Sequence, residues 1–250
     1  MLRLLSTVSL ALACCPTCAF SQEGTAAKLA RVPFVGCASD GQVGPQAAPT
    51  AAEEIQIDAS FAPKLAYYKS EEGPGVLAPR GWYCFGTYGS AGSHLFVAPE
   101  PIPSKSLFSP DWKGFAGAVI QTDSVSGGTS GRFSVAETIA RVFPAYQEFV
   151  RQVIAEGILP ATDFPVGPYP GDQLTYKSDR VVEFRTPPRT EGLGTHSRLQ
   201  TNDDWIRGVY ILEGPETDLL KLTMRLPANL RSLESPIQGQ FEKEWRGRRE

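Results

Sequence analysis

Histidine is scarce in this chain: His94 and His196 are the only two among 250 residues. A zinc site built on three imidazoles is therefore excluded, and neither histidine begins an H-E-x-x-H pair. Other signatures are missing too. No G-x-S-x-G sets a serine on a strained elbow, and no S-x-x-K joins a serine to a lysine. No G-K-[ST] closes a phosphate loop. With these motifs absent, neither a cofactor nor a metal is expected. Charge of one sign is lacking as well. The 24 basic and 27 acidic residues leave a net −3, too mild to point to nucleic acid or an anionic membrane surface.

Long apolar runs are also few. The one that stands out is LLSTVSLALACC, residues 4–15, behind a short basic start at Arg3. It falls short of the about 20 apolar residues that a membrane span requires, and fits the core of a secretory signal instead. Residues 1–19 are read as a signal peptide cleaved after Ala19, giving an exported protein, periplasmic or extracellular, with no transmembrane segment left. Lipidation of Cys14 or Cys15 is the alternative, although the residues before them match a lipoprotein signal only loosely. Cys15-Pro-Thr-Cys18 has redox spacing, but it follows the leader directly with no strand before it.

Once the leader is set aside, two cysteines remain. In an exported chain they read as a Cys37–Cys84 disulfide, closing a loop of about 47 residues and stabilising by roughly 4 kcal/mol in the chain-entropy description. A catalytic thiol is the rival reading.

What the chain does have is 24 glycines and 21 prolines, which favours strands joined by turns over a helical bundle. Strand patterns occur at EIQI or IQID within 54–58, LAYY at 65–68, GAVIQT at 117–122 and VVEF at 181–184. The stretch RGWYCFGTYGSAGSHLFVAP, residues 80–99, reads as a hairpin stapled at Cys84. WIRGVYILEG (205–214) and LLKLTMRLP (219–227) read as a second, antiparallel hairpin across Gly-Pro-Glu-Thr-Asp. One strong helical period runs from Val135 to Ile154 behind a Ser134/Glu137 capping box, with Pro144 kinking or splitting it.

The expected fold is α+β: a mainly antiparallel sheet packed against one long kinked helix, in a single disulfide-stapled domain. Residues 20–53 are expected to be an irregular segment tied down by the disulfide. Residues 54–235 form the domain, with a short helix at ANLRSLESPI, and 236–250 form a charged, solvated tail.

Two sets of residues invite a ligand. Thr129, Ser130 and Arg132, in the glycine-rich loop before the helix, have the chemistry to hold a carboxylate or phosphate. Trp82, Tyr83 and Tyr88 offer rings for a sugar. His94 and His196 are the candidate catalytic groups, with Asp203 or Asp204 as nearby carboxylates. Ser93 is not paired with His94, because neighbours on a strand face opposite sides. The expected function is an exported ligand-binding or envelope-associated module for a small anionic or carbohydrate ligand. The alternative is a secreted or periplasmic hydrolase assembled from scattered residues around His94 or His196. A pocket holding a histidine and a carboxylate favours the hydrolase; a shallow groove rimmed by the three rings favours the binding module.

Overall fold

The computed structural model describes residues 28–51 and 53–246. The proposed leader, with Cys14, Cys15 and Cys18, lies outside the described residues.

The stretch 20–53, expected to be irregular, contributes three short strands: β1 (Leu29–Arg31), β2 (Phe34–Gly36) and β3 (Ser39–Gly41). They are followed by β4 (Gln56–Asp58), β5 (Leu65–Lys69), β6 (Val76–Pro79), and the hairpin β7 (Tyr83–Gly89) and β8 (Gly92–Ala98). A single turn, α1 (Ser104–Leu107), precedes β9 (Val119–Val125). Helices α2 (Arg132–Val142) and α3 (Gln147–Ala155) then lead to β10 (Gln173–Ser178), β11 (Val181–Thr186), β12 (Ile206–Glu213) and β13 (Asp218–Arg225), and α4 (Glu234–Arg246) follows.

Eight strands form the central sheet in the order β10-β11-β12-β13-β9-β8-β7-β3. Its pairs are antiparallel except β3 against β7, which runs parallel. A second parallel pair, β2 with β5, begins the three-stranded sheet β2-β5-β6. The fold is therefore α+β, and its sheets are mixed. The antiparallel hairpin read across Gly-Pro-Glu-Thr-Asp forms between β12 and β13.

Two cores flank the central sheet. On one side Val135, Ile139, Val150 and Val153 from α2 and α3 cover Val125, Val182, Leu212 and Leu219. On the other, β5, β6 and α4 cover Leu95, Val97, Ile120, Val209 and Leu222. Each such side chain contributes about 1.5–3 kcal/mol on leaving water. The disulfide joins the end of the small sheet to β7, with Cys37 and Cys84 Cα atoms 5.5 Å apart.

The single long kinked helix is replaced by two. Proline has no N–H to donate at position 144 and its ring clashes with the preceding turn. Phe143 leaves helical geometry, a 3-10 turn spans Pro144–Tyr146, and α3 begins afresh. Nor does Ser134 cap the helix. Gly131 is the N-cap, without a side-chain bond, because the turn at Thr129–Gly131 already accepts the Arg132 amide. The stretch 236–246, expected as a solvated tail, is helical. It buries Ile237, Phe241 and Trp245, and Tyr67 donates to Glu244 at 2.8 Å.

Candidate functional site

Register across four neighbouring strands lines up His94 on β8, Asp123 on β9, Lys221 on β13 and Tyr210 on β12. All four side chains face the α2 side, spanning three inter-strand steps, about 14 Å. Asp123 is the fixed point. It is 0% exposed, accepts from His94 Nδ1 at 2.6 Å and from Gln121 Nε2 at 2.7 Å, and lies 3.8 Å from Lys221 Nζ. The orientation of Gln121 is set by the Arg198 amide, which donates to its Oε1 at 3.0 Å, so its amide nitrogen turns to the carboxylate. Burial pushes the Asp123 carboxyl up. The charges of His94 and Lys221, with hydrogen bonds from His94 and Gln121, outweigh it and hold the group below the usual carboxylate range.

An ionised carboxylate only accepts hydrogen bonds. Whenever the imidazole is neutral, its proton therefore sits on Nδ1 and the lone pair on Nε2. The His94 side chain is 40% exposed, and its Nε2 has no hydrogen bond among the described residues. The arrangement is an imidazole oriented by a buried carboxylate, with its basic nitrogen open to a substrate or a water.

The Lys221–Tyr210 end of the row forms the floor of a small cleft. Ser134, Glu137, Thr138 and Arg141 on α2 make one wall, and Tyr169, Leu193 and His196 the other. Between them and the floor at Tyr210 and Lys221 is a cavity of about 30 Å³, room for a single water. His196 Nε2 approaches Glu137 Oε1 at 3.4 Å, and the Arg141 guanidinium lies 4.1 Å above the Tyr169 ring. Tyr210 donates to the Leu193 carbonyl at 3.0 Å. Burial raises both phenols, Tyr169 and Tyr210, so each keeps its proton. Beyond His196 the cleft opens into a hollow of about 600 Å³ lined by Lys113, Glu191 and Gln200.

The loops over Gln121 are held by a buried cation. Arg225 is 1% exposed and donates to the carbonyls of Phe115, Gly117 and Gln200 at 2.5–2.9 Å. Burial lowers its pKa from the usual guanidinium value.

Of the two histidines, His196 lines this cleft and His94 does not. Their carboxylates are Asp123 and Glu137, whereas Asp203 and Asp204 pair with Arg189 and Arg231 at the surface, at 2.5 Å and 2.8 Å. Asp123, Lys221 and Tyr210 are the residues that sequence reasoning missed. Ser93 faces away from His94, as strand alternation requires. Arg132 already holds an anion, gripping the Glu156 carboxylate at 2.6–2.9 Å, while Thr129 donates to Ser90 O and Ser130 meets the Ser90 hydroxyl. The three rings do not share a groove. Tyr83 is exposed on the α2 side of β7, Tyr88 points to the opposite face, and Trp82 packs partly against the core there. Among the described residues no cluster of three His, Cys, Asp or Glu side chains is placed to hold a metal, and no helix is long and apolar enough to cross a membrane.

The chain matches no protein-family model, no curated protein and no solved structure.

Proposed function

We propose that the chain is an exported hydrolase in which His94, oriented by Asp123, activates water toward a small carboxylic or phosphoric ester entering beside α2. The observation that carries this reading is the buried carboxylate holding Nδ1 while Nε2 stays free. Water gives a proton to Nε2, its oxygen attacks the ester centre, and the imidazolium returns the proton to the departing alkoxide. Lys221, 3.8 Å from the Asp123 carboxylate, supplies positive charge for the developing oxyanion, and Arg141 lines the same small cavity as Lys221. Export is supported by the Cys37–Cys84 disulfide and by the apolar run at residues 4–15.

The test is hydrolysis of chromogenic acetate, butyrate and phosphate esters by the intact chain and by His94→Asn. The expected result is turnover of one class by the parent chain, falling about 10²–10⁴-fold in the variant with the melting temperature kept. No turnover of any ester, or equal rates in the two proteins, overturns the proposal. The second reading is a ligand-binding module. It is favoured by a separate serine-lined hollow on the other face of the sheet.

A further inference from the structure

One residue out of step with the His94–Asp123 pair, β8 and β9 present serines to the opposite face. Register aligns Gly41, Tyr88, Ser93 and Ser124 across β3, β7, β8 and β9. The same row continues into Leu220 and Ile211, which lie in the core beneath the small sheet and α4. Over its polar half the row borders a hollow of about 460 Å³, within the range of small-molecule sites.

Three features define what fits there. First, Ser93 is only 7% exposed and its hydroxyl has no hydrogen bond among the described residues, yet it faces the hollow. A Cβ on Gly73, another lining residue, would lie 2.3 Å from that oxygen, so only a glycine lets this loop approach the serine so closely. Second, the lining has no lysine, arginine or histidine. Its charges are Glu72 and Asp218, and Asp218 is already engaged by the Gly127 amide at 2.9 Å. An anion would meet only like charge. Third, the remaining polar groups are hydroxyls and amides. Gln46 spends its Oε1 on Ser39, which turns its NH₂ outward as a donor. Serine hydroxyls rotate to donate or accept as a ligand requires, and the Tyr88 ring supplies a flat apolar edge, its own hydroxyl being used on Gly44 O.

We infer that this hollow binds a neutral saccharide of one or two rings, with Ser93 as its buried hydrogen-bonding anchor. A ligand dense in hydroxyls matches groups that both give and take hydrogen bonds, and its neutrality suits a lining without cations. The site lies on the opposite face from the His94–Asp123 pair and stands or falls independently of the hydrolase reading.

The experiment is amide chemical-shift titration of the full chain with glucose, N-acetylglucosamine, cellobiose and glucuronate. Expected are saturable shifts at residues 88–93 and 124–126 with at least one neutral sugar, and about tenfold weaker binding of glucuronate than of glucose or N-acetylglucosamine. Ser93→Ala is expected to weaken the neutral sugar about tenfold, the worth of one well-made hydrogen bond. The rest of its spectrum stays in place, which separates lost contact from lost fold. Absence of saturable shifts with all three neutral sugars, an equal response to glucuronate, or unchanged binding by Ser93→Ala overturns the inference. So does a response at these amides to calcium alone, which would make Glu72 and Asp218 a cation site.

Discussion

Asp123 is the residue on which the His94 site turns. A carboxylate fully out of water costs several kcal/mol unless neighbours compensate, and here they come from three strands: His94, Gln121 and Lys221. Asp123→Asn is expected to lower stability by about 1.5–3 kcal/mol at neutral pH, the worth of hydrogen bonds to a charged group. The carboxyl lies below its ordinary value in the folded chain. Its contribution is therefore complete above the unfolded value near 4 and is lost as pH falls through the folded one. Urea unfolding across acid pH should show the parent chain losing its advantage over Asp123→Asn as pH drops. A gap that stays constant would mean that Asp123 is not ionised in the fold. At this scale the sequence was half legible. Two histidines made short work of the search for an imidazole. Asp123, however, follows a strand read as ending at Thr122, and its partnership with His94 depends on a pairing 29 residues apart. The available signals were an unbroken polar run, Gln121 to Ser124, inside a strand, and a lysine interrupting the apolar run Leu219–Leu222.

Among the elements, α4 departs most from its composition. The sequence QGQFEKEWRGRRE is charged, but Ile237, Phe241 and Trp245 recur every fourth residue and form one apolar stripe. That stripe closes the core above β6, so Phe241→Ala is expected to cost about 3–5 kcal/mol, measured by urea denaturation. A loss under about 1 kcal/mol would mean that α4 is not part of the cooperative unit. Local pattern served best where pairing is also local. The β12–β13 hairpin follows from two apolar runs on either side of a turn-forming pentapeptide. β6, a buried run of four ending in proline, and β10, exposed along almost its whole length, carry no period that marks them as strands. The start of α2 was hidden because a glycine and a backbone turn set it, leaving the serine and glutamate of the apparent capping box inside the helix.

At the scale of the molecule, one sheet separates two layers, and the parallel placements of β2 and β3 come from the first described segment of the chain. No periodicity announces parallel strands three residues long; they are long-range docking events against β5 and β7. The disulfide lies where these placements meet, between the small sheet and the central one. Reducing it, or replacing both cysteines with alanine, is expected to lower stability by about 4 kcal/mol, read as a shift of the urea midpoint. An unchanged midpoint would show that the N-terminal strands hold by packing alone.

The bond between Cys37 and Cys84 also turns a 47-residue stretch of chain into a covalent ring. The ring carries β3 to β6 and the loop at Gly73 that borders the serine hollow. One cut anywhere inside it opens the ring without dividing the molecule. A protease reaching that loop would nick the rim of the hollow and still leave both pieces joined, each folded against the other.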